Sequence, residues 1–183
     1  MQNNRMLQIS TAGSRKATQW PQSTIMWSEF VEKLKTPVWG TETLDQYLAL
    51  PKSRQDDLKD VGGFVGGTFI GLRRKAAYVE GRDLITLDLD NIPAGQTEDV
   101  LKRVSGLGCA AVVYSTRKHS GYAPRLRVIV PLDRTATADE YEPAARKLAS
   151  LLGIEFCDPT TFDAERLMYW PSCSSDSQYV NQV

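Results

Sequence analysis

The stretch Leu84-Ile85-Thr86-Leu87-Asp88-Leu89-Asp90 constrains this chain more than any other. Side chains along a strand alternate between its two faces, so Ile85, Leu87 and Leu89 point one way and Thr86, Asp88 and Asp90 the other. Two carboxylates on one face, two residues apart, repel unless something cationic lies between them. Hard divalent ions, Mg²⁺ or Mn²⁺, favour carboxylate oxygen and are the commonest answer. A strand running out into a solvated turn gives the same pattern, and Asn91-Ile92-Pro93-Ala94-Gly95 is such a turn. The stretch therefore decides only together with what else reaches the same end of its sheet.

A chain of 183 residues accommodates one domain, or one core with an elaborated flank. Its formal net charge is zero, so any basic surface for nucleic acid has to be local. Cys109, Cys157 and Cys173 are widely spaced, and His119 is the only histidine, which argues against a structural zinc site or a disulfide framework. The expected setting is reducing and cytoplasmic. No apolar run approaches a membrane span, and the polar start Met1-Gln2-Asn3-Asn4-Arg5 is unlike a signal peptide.

Residues up to about Pro21 read as polar and irregular. Trp27, Phe30, Val31 and Leu34 then fall at helical spacing, with Ser23 or Thr24 placed to cap the start and Pro37 to end it. Two short helices follow, one after Thr41 with Leu44, Tyr47 and Leu48 as its apolar face, and one capped by Ser53. Residues 61–70 are a glycine-rich strand candidate, Gly71-Leu72-Arg73-Arg74-Lys75 its turn and residues 76–79 the returning strand. The glycines suit bulges or a close backbone approach. The cluster Arg73, Arg74 and Lys75 is a candidate phosphate or template contact, and no P-loop is present. The chain thus divides into a mainly helical flank (1–60), a glycine-rich β-hairpin (61–80) and a core (84–172), all within one domain over 1–183.

After the aspartate strand, Thr97 can cap a helix carrying Val100, Leu101 and Val104. Residues 110–114 form a strand, 115–124 a loop, and Arg125-Leu126-Arg127-Val128-Ile129-Val130 alternates as a further strand. Thr137 and Glu140 make a capping box for a helix that stops at Gly153. Residues 154–157 and 167–170 offer strand segments around the loop 158–165. The order β-α-β-β-α-β is the ferredoxin-like or RNA-recognition-motif (RRM) arrangement, an α+β fold with an antiparallel sheet. Its usual strand order is fourth, first, third, second. That order brings Asp88 and Asp90, the loop with His119, Arg125 and Arg127, and Asp158 to one sheet end.

Such a convergence suits phosphoryl transfer. Two metal ions held by Asp88, Asp90 and Asp158 can activate a nucleophile and neutralise a leaving pyrophosphate. Arg125, Arg127 and His119 can contact phosphate oxygens. Each residue alone has a commoner structural explanation; the weight lies in the set.

The run from Trp27 to Ser172 resembles the primase-polymerase module at the N-terminus of phage and prophage primase-helicases, a group allied to virulence-associated protein E within the archaeo-eukaryotic primase superfamily. The aspartate strand resembles that superfamily's first motif. Tyr114-Ser115-Thr116-Arg117-Lys118-His119 with Pro124-Arg125-Leu126-Arg127 resembles the second, and Asp158-Pro159-Thr160-Thr161-Phe162 with Arg166-Leu167-Met168-Tyr169-Trp170-Pro171-Ser172 the third. Lys59-Asp60-Val61-Gly62-Gly63-Phe64-Val65 is similar to a stretch characteristic of the phage group. The superfamily's second motif carries Ser-x-His; here Arg117 stands at that place and His119 lies two residues later. The third carboxylate is Asp158 or Asp163, and position relative to Arg166 favours Asp158.

The resemblance implies template-directed nucleotidyl transfer from (d)NTPs, with Mg²⁺ or Mn²⁺ in a two-metal site. Asp88, Asp90 and Asp158 are then the catalytic, metal-holding residues. Ser115, Arg117, His119, Arg125, Arg127 and Arg166 bind nucleotide, while Arg73, Arg74, Lys75 and Lys118 bind DNA. Single-stranded or primed DNA is the expected template, and a helicase module the expected partner, in the same polypeptide or a separate chain. An RNA-recognition module would place aromatic residues where the central strands carry Asp88, Asp90, Arg125 and Arg127. A rolling-circle nickase needs a histidine pair. The alternative that survives is a catalytically degenerate nucleotide- or DNA-binding replication module.

Overall fold

The computed structural model describes residues 4–183. In chain order the elements are β1 (Met6–Ala12), β2 (Gln22–Met26), α1 (Trp27–Lys35), β3 (Val38–Trp39), α2 (Leu44–Ala49), α3 (Lys52–Leu58), β4 (Gly63–Val65), β5 (Gly67–Phe69), β6 (Val79–Leu89), α4 (Thr97–Ser105), β7 (Val112–Ser115), β8 (Leu126–Ala136), α5 (Ala138–Leu152), β9 (Met168–Tyr169), β10 (Ser172–Cys173) and β11 (Asn181–Gln182). The larger sheet runs β11-β7-β8-β6-β5 and a second runs β2-β1-β4-β9, both antiparallel. Strands β3 and β10 form a separate parallel pair.

The larger sheet is covered on both faces. Ile85, Leu87 and Leu89 of β6, with Val113, Val128 and Val130, pack on Val100 and Val104 of α4 and on Tyr141, Leu148 and Leu152 of α5. From the opposite face, Leu84, Val112, Tyr114 and Ile129 meet Leu7 and Ile9 of β1, Phe64 of β4, and Trp27, Phe30 and Leu34 of α1. Each large aliphatic side chain so buried contributes about 1.5–3 kcal/mol before entropy is counted. The alternation read along β6 is thus the partition between two cores. Helix α5 starts at the expected capping box, with Glu140 N–H donating to Thr137 Oγ1 at 3.3 Å and Thr137 N–H to Glu140 Oε2 at 2.9 Å. It ends at Gly153, whose φ is 110°.

Four expectations are corrected. Residues up to Pro21 are not irregular: β1 buries Leu7 and Ile9 beside exposed Met6 and Gln8, but Ser10 is buried as well, which leaves too short an alternation to read. The expected caps differ: Ser23 and Thr24 lie in β2, Glu29 Oε2 accepting the Met26 N–H at the start of α1 at 3.0 Å, and Ser53 and Thr97 lie inside α3 and α4, which follow Pro51 and Gln96. Residues 61–70 do not form one strand but break at Gly66 into β4 and β5, which belong to different sheets. Close packing requires the glycines. A Cβ on Gly67 would lie 2.0 Å from the Gly81 carbonyl oxygen, and one on Gly63 would lie 2.4 Å from that of Met168. The returning strand is β6 itself, entered at Val79 after a 3₁₀ turn over Ala76–Tyr78.

The fourth correction concerns the last core strand. Strands β7, β8 and β6 take the expected second, third and first positions, but no full strand fills the fourth. Residues Ile154–Phe156 are a 3₁₀ turn, Cys157 makes a single bridge to Leu89, and β9 pairs with β4 in the other sheet. Strand β5 covers only the start of β6, from Val79 to Arg82. The outer edge of β6 near Asp88 is left to side chains and to the single backbone N–H of Asp158. Cys109 is exposed, Cys157 and Cys173 are buried, and all three are free thiols. No helix among the described residues is long and apolar enough to cross a membrane.

Candidate active site

Strand register assembles the first half of the site. Asp88 on β6 is opposite Arg127 on β8, and Arg127 is opposite Tyr114 on β7. Arg127 Nε donates to Asp88 Oδ1 at 3.3 Å, and its Nη1 to the Tyr169 carbonyl at 3.0 Å. Asp88 and Arg127 are both buried. Burial is the largest single influence and works against the Arg127 cation, yet Asp88 and Tyr114 together outweigh it and hold its pKa above the ordinary guanidinium value. One row further out, Arg125 Nη1 pairs with Asp90 Oδ2 at 2.7 Å, both about a third exposed.

The third carboxylate comes from the segment after α5. The Asp158 N–H donates to the Asp88 carbonyl at 2.8 Å, anchoring the segment to β6. Its carboxylate accepts the Thr160 N–H at 2.9 Å, the Thr160 hydroxyl at 2.8 Å and Arg166 Nη2 at 2.9 Å. One oxygen each of Asp88, Asp90 and Asp158 lies within 4.8 Å of the others. Asp158, and not Asp163, completes this cluster. Burial and the adjacent Asp88 charge push the Asp90 carboxyl above the usual carboxylate range, against the pull of Arg125 and Arg127. Burial acts in the same sense on Asp158, but the Thr160 bonds and Arg166 prevail and hold it below that range.

The cluster lies in a cleft of about 520 Å³, within the range of small-molecule sites. Ten cationic side chains line it beside the three aspartates: Arg15, Lys16, Lys52, Lys59, Arg74, Arg117, Lys118, Arg125, Arg127 and Arg166. A chain of zero net charge has gathered its basic surface here. Ser115, Tyr47 and Tyr169 also line the cleft.

Of the residues singled out from sequence, Asp88, Asp90, Asp158, Ser115, Arg117, Lys118, Arg125, Arg127, Arg166 and Arg74 share this cleft. His119 does not line it: the imidazole is buried, and its Nδ1 accepts the Arg125 N–H at 3.1 Å. That bond leaves the ring proton on Nε2, and burial holds the imidazole below its ordinary pKa. Arg117 Nη2 pairs with Glu42 Oε1. Arg73 and Lys75 sit with Arg74 around a neighbouring hollow bounded by residues 17–20 and Gly71. Burial, then Lys52, Arg125 and Lys59 close by, lower the pKa of Lys118.

Sequence reading missed Arg15, Lys16 and Lys52 as cleft residues, and Thr161 as a support. The Thr161 hydroxyl accepts the Asp88 N–H at 2.8 Å and donates to the Thr86 carbonyl at 3.0 Å, replacing ladder bonds an adjacent strand would make. Lys59 did carry a signal, since it opens the stretch similar to the phage group.

The family model for the VapE N-terminal domain matches residues 1–183. The chain belongs to this family. The resemblance read from its motifs is borne out. Among solved structures, the AEP domain of the cyanophage S-2L primase-polymerase is similar in fold. The TM-score is 0.50 at 11% identity, over 99% of this chain and 82% of that one. The polymerase domain of Mycobacterium tuberculosis Ligase D, in complex with DNA, matches with a TM-score of 0.44 at 12% identity, over 91% of this chain and 68% of that one. No curated protein matches the sequence.

Proposed function

We propose that this VapE N-terminal domain is a metal-dependent nucleotidyltransferase that makes or extends primers on a DNA template. The observation that carries the reading is the meeting of Asp88, Asp90 and Asp158 within 4.8 Å in a cleft that ten cationic side chains also line. The donor set is all carboxylate oxygen, without sulfur or imidazole, and fits Mg²⁺ or Mn²⁺ held by these three residues. Ions bound there supply activation of a primer 3′-hydroxyl and neutralisation of the leaving pyrophosphate. As the 3′-oxygen bonds the α-phosphorus, the bond to the β-phosphate oxygen breaks.

The chain's own residues divide the remaining work. Arg125 and Arg166, each about a third exposed and paired with a carboxylate, exchange that partner for phosphate oxygens when nucleotide enters. Ser115 and Arg117 complete the nucleotide contacts, and Arg127 holds Asp88 in place from beneath. Lys118, Lys52, Lys59, Arg15 and Lys16 receive the DNA backbone, with Arg73, Arg74 and Lys75 extending the path. The reading includes single-stranded or primed DNA as template, (d)NTPs as substrates and a helicase module as partner, in the cytoplasm of a bacterial cell. It also takes 1–183 as one catalytic domain.

One observation favours the alternative, a nucleotide- or DNA-binding module without turnover: every carboxylate of the cluster already has an arginine partner. Incorporation of labelled dNTPs on a primed template, with and without Mn²⁺, separates the two. Extension that requires the metal is expected; nucleotide and DNA binding with no extension in Mn²⁺ would leave only the alternative.

The histidine gives a sharper check on the nucleotide contacts. Because its Nδ1 supports the Arg125 amide, His119→Ala acts through Arg125. It is expected to raise the nucleotide KM by about fivefold, the loss of one neutral hydrogen bond. Arg117→Ala removes a charged group and is expected to cost more, about 1.5–3 kcal/mol in nucleotide binding. Steady-state KM values for the two variants decide it. A larger effect for His119→Ala would put the imidazole itself on the triphosphate.

A further inference from the structure

Arg82 is fully buried, and among the described residues it forms no ion pair. A guanidinium cut off from water is costly unless its donors are all engaged, and an apolar side chain of similar volume would commonly serve stability as well. Its surroundings show what its donors hold. Nη2 donates to the Leu84 carbonyl at 3.1 Å and to Thr86 Oγ1 at 3.1 Å. Nη1 donates to the Ala164 carbonyl, and the guanidinium lies over the Tyr141 ring, 4.0 Å from its centroid.

These contacts lie along the edge of β6 that the missing fourth strand would have covered. The Leu84 carbonyl goes to Arg82, the Thr86 carbonyl to Thr161 Oγ1 and the Tyr141 hydroxyl, and the Asp88 carbonyl to the Asp158 N–H. The last two partners on the chain, Thr161 and Asp158, belong to the segment that Arg82 grips at Ala164. That segment also carries Arg166. The glycines at the β4–β5 break make room for this clamp: a Cβ on Gly67 would come within 2.8 Å of Arg82 Cδ.

We infer that Arg82 is a positioning residue that replaces the fourth strand, holding the segment 158–166 against β6 so that Asp158 and Arg166 meet Asp88. The inference rests on the polymerase reading for its consequence in metal binding, but not for the clamp itself. Its five donors in a fixed fork can engage carbonyls of two separate segments at once; an ammonium group of similar reach cannot reproduce that geometry.

The test uses the whole chain with Arg82→Met and Arg82→Lys. Hydrogen exchange in metal-free protein should show the amides of Asp158, Thr161 and Asp88 exchanging at least about tenfold faster in both variants, while those of α4, β7 and β8 keep their protection. A uniform loss of protection, or no change at the three amides, would overturn the clamp. Should Arg82→Met fail to fold, Arg82→Lys carries the same comparison. Mn²⁺ titration without nucleotide or DNA is the second arm. Affinity should fall by about tenfold in the variants, and that fall should vanish in an Asp158→Ala background. An equal fall with and without Asp158 means Arg82 acts elsewhere. If the unsubstituted protein binds no Mn²⁺, the polymerase reading fails, and the exchange arm still decides the clamp.

Discussion

Asp88→Asn and Asp90→Asn are each expected to lower metal-dependent nucleotide incorporation by at least about 10²–10³-fold, the scale of losing one preorganised charge at a reacting centre. Their effects on stability are expected to differ in sign. Asp88 is buried against the buried Arg127, so asparagine leaves a guanidinium without its counter-charge, at a cost of about 3 kcal/mol. Asp90 is partly exposed, faces the Asp88 charge, and has a carboxyl already pushed above the usual range by burial and by that charge. A carboxyl whose folded pKa is raised opposes folding at neutral pH, where it must ionise, so Asp90→Asn leaves stability unchanged or raises it. Primer extension in Mg²⁺ and Mn²⁺ beside thermal unfolding reads both. Full turnover in either variant would remove the carboxylates from the chemistry, and equal melting temperatures would contradict the Asp88–Arg127 pairing.

The second large effect separates the two arginines of β8 and its approach. Arg127→Met is expected to destabilise the protein by about 3–5 kcal/mol, because it leaves buried Asp88 only the longer 3.7 Å contact with Arg166 and takes from the Tyr169 carbonyl one of its two donors, the other being the Tyr114 hydroxyl. For a chain of this size that corresponds to a fall of roughly 6–20 °C in Tm. Arg125→Ala touches a guanidinium about a third exposed, whose only ion-pair partner among the described residues is Asp90, and should leave Tm nearly unchanged. Its cost appears in nucleotide affinity, about 1.5–3 kcal/mol for a charge-assisted phosphate contact. Calorimetric Tm and nucleotide KM for the pair test the division. Unchanged nucleotide affinity in Arg125→Ala would make that residue structural.

The two arginines look alike in sequence, both on one face of an alternating strand. What distinguishes them is how far each lies inside the edge of the sheet. Arg127 sits beneath Tyr169, supplied by β9 from the second sheet, while Arg125 sits at the open mouth of the cleft.

Sequence alone determined the parts of this protein governed by local periodicity and by motif. The two-residue alternation of β6, the 3.6-residue spacing in α1, α4 and α5, the capping box at Thr137 and the glycine stop at Gly153 are properties of neighbouring residues. They sufficed for the order of the first five core elements, β6, α4, β7, β8 and α5, and for the end of the sheet at which the carboxylates meet. Tertiary structure decided whatever depended on residues far apart in the chain. Strand β1 exists because β4 pairs with it and Asp83 accepts the Gln8 N–H at 2.7 Å, not because its own residues alternate strongly. Glycine spacing could not say that residues 61–70 divide between two sheets, since the close approach of Gly67 to Gly81 is made only in the folded chain. The fourth strand's replacement by Arg82, Thr161 and Tyr141 had no periodic signal, because side chains from three separate elements satisfy one strand edge. His119 followed the same rule: its place near the cleft could be read, but its orientation was fixed by a hydrogen bond to the Arg125 amide.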